Sequence, residues 1–222
     1  MEIPVVQKVL KLNDDIALLL RERFEQAGVV VFNFISAPGS GKTSLLETTI
    51  RHFRGRFAIA VIEGDPDSTL DAQRIARHGC PVVQIQTSGG CHLEANLVQR
   101  AIAQFDLDSL DALFIENVGN MVCPVEFDLG EHHRVVLVST PEGSDKPAKY
   151  PKLFRTAGII LLNKCDLLPY VPFDRAQFDT YVQSVNPEHP AVSITATRPE
   201  TCTAWFAWAE AKITGRMAVP AR

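Results

Sequence analysis

Short, nearly continuous apolar runs alternate along the chain with longer stretches of helical character. Seven runs have the length and the Val, Ile, Leu and Phe content of strands, and they cover residues 29–36, 57–63, 81–87, 111–117, 134–140, 158–164 and 191–196. Such runs, separated by helix-length segments, are typical of parallel strands that are buried on both faces. The pattern therefore predicts a three-layer α/β fold with a mostly parallel central sheet.

The first segment has the spacing of an amphipathic helix that ends near Gly28. Its predicted buried stripe, with steps of four and three residues, comprises Val5, Val9, Leu12, Ile16 and Leu19. The chain shows no long linker, internal repeat or low-complexity tract. We therefore expect residues 1–222 to form a single domain, with residues 1–28 as an N-terminal helix packed on it.

Composition and charge narrow the class of protein. Of the 222 residues, 46% are hydrophobic and 22% are charged, as in an ordinary globular chain. The formal net charge of −4 does not favour a nucleic-acid partner. No apolar run approaches the ~20 residues of a membrane span, and the N-terminus lacks the basic and apolar regions of a secretory signal. We expect a cytoplasmic protein without a membrane partner.

A Gly- and Ser-rich loop follows the first apolar run. Residues 36–43 read SAPGSGKT, and a helical stretch comes next. In such a strand–loop–helix unit, small residues turn backbone N–H groups toward a polyphosphate, the lysine reaches the β and γ oxygens, and the threonine hydroxyl can bind Mg²⁺. Ser36 stands where the general pattern has glycine, although the GSGKT core is complete. The predicted phosphate site consists of Gly39, Ser40, Gly41, Lys42, Thr43 and Ser44.

A second nucleotide motif follows the sixth apolar run, where residues 163–166 read NKCD. The carboxylate of Asp166 can accept hydrogen bonds from N1–H and the exocyclic amino group of guanine, whereas adenine would leave one oxygen unpaired. Together with Asn163 and Lys164, this residue predicts GTP rather than ATP. Residues 193–197 either add backbone contacts to the base or form a plain strand-to-loop transition.

Two acidic loops follow other predicted strands: residues 63–67 read EGDPD, and residues 116–120 read ENVGN. The carboxyl ends of parallel strands meet at one edge of a sheet, so these acids should lie beside the phosphate loop. We select Asp65 and Glu116, with Thr43, as ligands for Mg²⁺, and Gly119 as a backbone donor to the γ-phosphate. Some acids can instead cap helices, Asp67 among them.

Two cysteines and a histidine form a candidate site for a soft metal ion. Cys91 and His92 follow a Gly-Gly pair, and Cys123 lies shortly beyond the ENVG loop. Thiolate and imidazole bind Zn²⁺ or Ni²⁺. Because adjacent strand residues point in opposite directions, Cys91 and His92 can share a metal only if the glycines bend the backbone. Three ligands leave a fourth position for a second chain, solvent or a delivered group. By residue type alone, all three could equally be buried or incidental.

These motifs together resemble one known family. Their order along the chain is SAPGSGKT, VIEGDPDSTLDAQRI, GCHLEANLV, IENVGNMVCPVEFDLGEHHRVVLVS, EGSDKPAKYPKLF and NKCDLL. In this order they resemble the HypB family of GTPases, which assist nickel insertion during [NiFe]-hydrogenase maturation. The resemblance covers nearly the whole chain. It implies a three-layer P-loop NTPase fold and a homodimer that forms around nucleotide.

The resemblance also implies roles for the selected residues. Lys42, Asp65 and Glu116 would serve GTP hydrolysis with Mg²⁺. The implied ligands for Ni²⁺ or Zn²⁺ at the dimer interface are Cys91, His92 and Cys123. The implied partners are a HypA-type nickel chaperone and a hydrogenase large-subunit precursor.

One stretch, ENVGNMVCP at residues 116–124, carries both a predicted γ-phosphate contact and a predicted metal ligand. We therefore expect the nucleotide state to change metal binding. No arginine stands out as an arginine finger, so we expect the isolated protein to hydrolyse GTP slowly.

Three alternative functions stay open. The chain could be an ATP-dependent small-molecule kinase, although the NKCD motif argues against this. It could be a module in which GTP controls dimerisation without hydrolysis. A UreG-like urease nickel chaperone should have Cys-Pro-His, where this chain has Val125 after Pro124.

Overall fold

A seven-stranded parallel sheet organises the computed structural model, which describes residues 5–217 and, for residues 5–9 and 216–217, the backbone alone. The strands are β1 (Val30–Ser36), β2 (Ile59–Asp65), β3 (Val82–Gln86), β4 (Ala112–Glu116), β5 (His133–Ser139), β6 (Ile159–Asn163) and β7 (Val192–Ser193). Their order in the sheet is β3-β2-β4-β1-β5-β6-β7. Each predicted run thus overlaps a strand, and the predicted α/β fold is confirmed.

Helices lie on both faces of the sheet. They are α1 (Val5–Ala27), α2 (Lys42–Phe53), α3 (Leu70–Ala76), α4 (Ala95–Ile102), α5 (Lys146–Lys149), α6 (Pro151–Arg155), α7 (Arg175–Val185) and α8 (Thr203–Met217). None of the helices within residues 5–217 is both long enough and apolar enough to cross a bilayer.

The apolar strands are explained by burial on both faces. In β1, Phe32 and Phe34 belong to one buried cluster with residues of α2 and α8. Val31 belongs to a second cluster with residues of α1 and α4 on the opposite face. Since successive strand residues point to opposite faces, a strand covered on both sides needs apolar residues at every position. This requirement accounts for the continuous rather than alternating runs.

Helix α1 packs on the sheet, but the predicted stripe is wrong in part. Leu12 and Leu19 are 62% and 57% exposed. Ile16 is half-buried against the core, and the side chains of Val5 and Val9 lie outside the described residues. The observed buried face is formed by Asn13, Ala17, Leu20 and Phe24.

A polar residue explains this change of face. The side-chain amide of Asn13 is 5% exposed. Its Nδ2 donates to the carbonyl oxygen of Asp128 at 2.8 Å, and its Oδ1 accepts from the N–H of Ala95 at 2.8 Å. Asn13 therefore satisfies two backbone groups that burial would otherwise leave unpaired. A bidentate ion pair between Arg21 and Asp128 adds a second polar contact.

The sheet brings the candidate loops to one edge. Strands β1, β2 and β4 are neighbours, and their carboxyl ends lead into the phosphate loop and the two acidic loops. In the register between β2 and β4, Glu63 lies opposite Glu116. The candidate site is therefore built on neighbouring strands in the interior of the sheet.

Candidate functional site

The phosphate loop joins β1 to α2 and borders a cavity of about 460 Å³. Gly39 and Gly41 have positive φ angles of 72° and 103°, which favour glycine. A Cβ on Gly41 would lie 2.5 Å from Nδ2 of Asn163, so this position has no room for a side chain. Lys42 donates to the hydroxyl of Ser36 at 3.0 Å, which gives the departure from the general motif a structural role. Burial lowers the pKa of Lys42.

Three carboxylates meet beside the phosphate loop. One oxygen each from Glu63, Asp71 and Glu116 lies within 4.8 Å of the others. Thr43 donates its hydroxyl to Oε1 of Glu116 at 2.8 Å. The Oε2 atoms of Glu63 and Glu116 are buried and have no hydrogen-bond partner within residues 5–217. Hydroxyl and carboxylate oxygens with unsatisfied lone pairs are suitable ligands for Mg²⁺.

Burial raises the pKa of both glutamates in this cluster. Burial, with the neighbouring charge of Glu116 as the next cause, raises the pKa of Glu63 to about 8. Burial raises the pKa of Glu116 to about 7, although Lys42 and the hydrogen bond from Thr43 oppose this shift. A divalent cation would favour the ionised form of both glutamates, so this cluster is suited to hold one.

Asp65 lies beside the phosphate loop as expected, and its side chain also closes a local turn. Asp65 borders the cavity but is not part of the three-carboxylate cluster. Its Oδ1 accepts from the backbone N–H groups of Asp67 and Ser68, at 2.9 and 2.5 Å, and so closes the turn after β2. The N-cap residue of α3 is Thr69, which makes no side-chain cap hydrogen bond, so the capping considered for Asp67 is not made; the hydroxyl of Ser68 accepts from the N–H of Leu70 at 3.1 Å.

Sequence reasoning missed an arginine at the cavity. Arg74 lies on α3 and borders the nucleotide cavity. Its guanidinium donates to Asp71 at 2.8 Å, to Glu47 at 2.6 Å and to the hydroxyl of Ser44 at 3.2 Å. Its position depends on the packing of α3 against α2, for which the sequence carries no signal.

The NKCD residues brace the phosphate loop. Asn163 is 2% exposed; its Nδ2 donates to the carbonyl oxygen of Ser40, and its Oδ1 accepts from the N–H of Ala196, both at 2.8 Å. Lys164 adopts a left-handed φ of 58° and donates to the carbonyl oxygen of Gly39 at 2.7 Å. These contacts fix the distance between the two nucleotide motifs.

Asp166 is half-buried, and its Oδ1 accepts a long hydrogen bond of 3.4 Å from the hydroxyl of Thr195. The backbone N–H of Thr195 donates to the side chain of Thr201, and that of Ala196 donates to Asn163. These two N–H groups are therefore committed within the protein. Of the two interpretations of residues 193–197, a strand-to-loop transition fits these two positions better.

Cys91, His92 and Cys123 come together in space. One ligand atom from each lies within 4.8 Å of the others, and Nδ1 of His92 is 3.5 Å from Sγ of Cys91. Ser88 and Gly89 have positive φ angles of 50° and 88°, so the backbone bends before the adjacent pair as the hypothesis required. The hydrogen bond between the Cys91 and Cys123 thiols, followed by burial, raises the pKa of Cys91.

The histidine of this cluster is held by its surroundings. Its ring stacks on Phe127, with centroids 3.9 Å apart. Its Nε2 lies 3.8 Å from a carboxylate oxygen of Glu94. A metal-binding histidine usually donates its distal N–H to a carboxylate or carbonyl oxygen; here Nε2 is too far from Glu94 for that hydrogen bond and has no other partner among the described residues.

The metal cluster and the nucleotide cavity share the segment that follows β4. A Cβ on Gly119 would lie 2.9 Å from the Cα of Pro38, so Gly119 packs directly against the phosphate loop. Cys123 follows four positions later in the same segment. A shift of the phosphate-loop contact would therefore be transmitted to a candidate metal ligand through a few residues of continuous backbone.

Comparisons with known proteins agree with this arrangement. Residues 30–193 match the family model described as CobW/HypB/UreG, nucleotide-binding domain. Hydrogenase maturation factor HypB from Azotobacter vinelandii is 48% identical over 206 residues, which are 93% of this chain and 68% of that protein. Probable hydrogenase maturation factor HypB from Methanocaldococcus jannaschii is 42% identical over 85% of each chain.

Solved structures show the same fold. The crystal structure of HypB from Helicobacter pylori in complex with nickel has a TM-score of 0.86 and 35% identity, and covers 92% of this chain and 96% of that chain. HypB from Archaeoglobus fulgidus has a TM-score of 0.85 and 35% identity, and covers 91% of this chain and 99% of that chain. The chain therefore belongs to the HypB family of hydrogenase maturation factors, within the CobW/HypB/UreG group of nucleotide-binding domains.

Proposed function

We propose that this protein is a GTP-hydrolysing metallochaperone that assists nickel insertion into [NiFe]-hydrogenase. The observation that carries the proposal is the segment after β4, which packs Gly119 against the phosphate loop and places Cys123 beside Cys91 and His92. A nucleotide site and a soft-metal site on one short segment suit a protein that binds and releases a metal ion according to its nucleotide state.

The cavity supports GTP binding with Mg²⁺. Lys42 would leave the hydroxyl of Ser36 and contact the β and γ oxygens. Thr43, Glu116 and Glu63 would hold Mg²⁺, which supplies positive charge to the phosphates during transfer. We keep Asp65, which borders the same cavity, as a candidate for positioning the attacking water.

The remaining nucleotide contacts would select the base and orient the phosphates. Asp166 would accept hydrogen bonds from guanine, while Asn163 and Lys164 hold the phosphate loop in place through the contacts described above. Backbone N–H groups of Gly39 to Ser44 would surround the phosphates, and Gly119 would donate to the γ-phosphate.

Nickel is the cargo in this proposal. Two thiolates and an imidazole nitrogen can hold Ni²⁺ or Zn²⁺, and the partly exposed position of the cluster would allow transfer. A second copy of the chain would contribute to the incomplete coordination sphere in a homodimer. A HypA-type nickel chaperone and a hydrogenase large-subunit precursor are the proposed partners. We propose that residues 1–222 form a single domain and that the protein works in the cytoplasm.

The nucleotide half of the proposal is tested by phosphate release from purified protein. We expect slow release from GTP and little from ATP, with loss of activity in Lys42→Ala. Asp166→Asn should shift the preference from guanine to xanthine nucleotides, because an amide presents a donor where the carboxylate accepted. Equal activity with ATP would favour the kinase alternative. Binding of GTP without phosphate release would favour the non-hydrolysing module.

The metal half is tested by titration with Ni²⁺ and Zn²⁺. Cys91→Ala and Cys123→Ala should each lower the stoichiometry or weaken binding. Cys165→Ala is the matched control, because Cys165 is a half-buried thiol outside the cluster. Unchanged metal binding in Cys91→Ala would contradict the proposed site.

A further inference from the structure

Asn117 is a buried residue in the ENVGN loop, and it contacts the segment that carries Cys91 and His92 (residues 87–94, here called the metal loop). It is neither a predicted nucleotide contact nor a predicted metal ligand. It directly follows β4 and is 1% exposed. Its Nδ2 donates to Oδ1 of Asn33, in the middle of β1, at 3.2 Å. Its backbone N–H donates to the carbonyl oxygen of Phe34 at 3.1 Å. One end of Asn117 is thus anchored to the central strand of the sheet.

The oxygen of the same side-chain amide accepts hydrogen bonds from two loops at once. Oδ1 of Asn117 accepts from the backbone N–H of Leu93 at 3.2 Å and from that of Val118 at 3.0 Å. Leu93 directly follows His92 in the metal loop, and Val118 directly precedes Gly119 at the phosphate loop. A single buried acceptor therefore connects both loops.

A second amide makes a parallel connection. Asn120 donates from Nδ2 to the carbonyl oxygen of Cys91 at 3.3 Å, and its Oδ1 accepts from the N–H of Val122 at 2.9 Å. Asn120 is half-buried, whereas Asn117 is fully buried, and an unmade hydrogen bond costs more in the buried position. The stronger constraint on the metal loop is therefore the one through Asn117.

We infer that Asn117 is a positioning residue that sets the separation of the Cys91–His92 pair from Cys123 according to nucleotide state. This inference rests on the proposed function. A γ-phosphate that draws in Gly119 would move the adjacent Val118 N–H. Because that N–H and the N–H of Leu93 share one oxygen, the movement changes the hydrogen bond that holds the metal loop.

The first experiment measures Ni²⁺ affinity with GDP and with a non-hydrolysable GTP analogue. In the wild-type protein we expect the two affinities to differ by about fivefold or more, which is the usual range of such coupling. In Asn117→Ala the ratio should fall toward one while Ni²⁺ still binds. Asn117→Asp should restore the ratio, because a buried neutral carboxylic acid can accept from both N–H groups and donate to Asn33.

Asn33→Ala separates positioning from a merely structural role. It removes the sheet-side partner of Asn117 but leaves the oxygen that Leu93 and Val118 share. We expect it to lower the melting temperature and to keep most of the affinity ratio. If Asn33→Ala and Asn117→Ala lose the ratio equally, or if Asn117→Ala keeps it, the inference is overturned.

A measurement on the wild-type protein avoids dependence on the folding of variants. The backbone amide of Leu93 should show different hydrogen-exchange protection with GDP and with the GTP analogue, since its acceptor is shared. Equal protection in both states would overturn the inference even if the affinity ratio is large. A wild-type ratio of one would overturn the proposed coupling itself, and a ratio kept by Asn117→Ala would overturn only the role of Asn117.

Discussion

Replacing Glu63 with glutamine should make the free energy of unfolding of the metal-free, nucleotide-free protein less dependent on pH. Glu63 is 2% exposed, and burial beside Glu116 raises its pKa from an ordinary 4.5 to about 8. The folded protein therefore holds a proton that the unfolded chain releases at neutral pH. Because the folded state binds more protons, stability falls as the pH rises between these two values.

The size of this effect follows from the two pKa values. A glutamate with a pKa near 8 in the folded protein and near 4.5 in the unfolded chain lowers the free energy of unfolding by about 2 kcal/mol as the pH rises from 6 to 8. Glu116, whose pKa is raised to about 7, adds about 1 kcal/mol over the same range by the same linkage. Between pH 6 and pH 8, the free energy of unfolding should thus fall by about 3 kcal/mol in the wild-type protein and by about 1 kcal/mol in Glu63→Gln. The difference corresponds to roughly 4–8 °C in melting temperature for a chain of this length.

Denaturation curves at pH 6, 7 and 8 in EDTA, without nucleotide, would measure this difference. Glu22→Gln, which changes an exposed glutamate on α1, is the control and should follow the wild-type curve. With GDP and Mg²⁺ bound, the wild-type dependence should become weaker, because a divalent cation favours the charged carboxylates. Parallel pH profiles for the wild-type protein and Glu63→Gln would refute the reasoning.

Three further substitutions test the packing around the site. Gly119→Ala would place a Cβ 2.9 Å from the Cα of Pro38, and should slow phosphate release by roughly tenfold to a hundredfold while GDP binding, measured by calorimetry, changes less. Asn163→Ala removes two buried hydrogen bonds, and should lower the free energy of unfolding by about 1–3 kcal/mol and weaken GDP binding. Leu20→Ala should cost about 2–5 kcal/mol in denaturant melts, whereas the exposed neighbour Leu19→Ala should cost no more than about 0.5 kcal/mol; equal costs would contradict the observed face of α1.

The candidate magnesium ligands show that the sequence alone does not locate the end of a strand correctly. The apolar run predicts a second strand that ends at residue 63, and it assigns the acids of residues 63–67 to one loop. The strand instead continues to Asp65, because Gly64 and Asp65 pair with Ile85 and Gln86 of β3. Glu63 is therefore held within the sheet, in register with Glu116. The position of Glu63 depends on the pairing of β2 with β3 and β4, and the residues around Glu63 do not indicate this pairing.

Helix α1 shows the same limit for side-chain burial. The sequence predicted the helix and its end, because apolar spacing and Gly28 are local signals. It predicted the buried face wrongly in part, because α1 has more apolar residues than its contact surface needs. Asn13 faces inward because it meets backbone groups of Asp128 and Ala95. Those partners are far away in sequence and can be identified only from the fold.

The candidate metal site was easier to predict than its geometry. Residue types and the expected common sheet edge were enough to select Cys91, His92 and Cys123, and the structure brings them together. Their role as ligands stays a prediction. The sequence suggested a bend at the Gly-Gly pair, but the backbone of Ser88 also enters the left-handed region, which a residue other than glycine rarely does.

The strand order explains how the two cysteines can meet at all. Cys91 follows β3 and Cys123 follows β4, yet β2 lies between these strands in the sheet. The metal loop must therefore cross the carboxyl end of β2, and it does so with the side chain of Leu93. A Cβ on Gly64, in β2, would lie 2.8 Å from that side chain. The crossing needs glycine at this position, and it packs the metal loop against the acidic strand end, so we expect metal binding at this sheet edge to respond to the nucleotide.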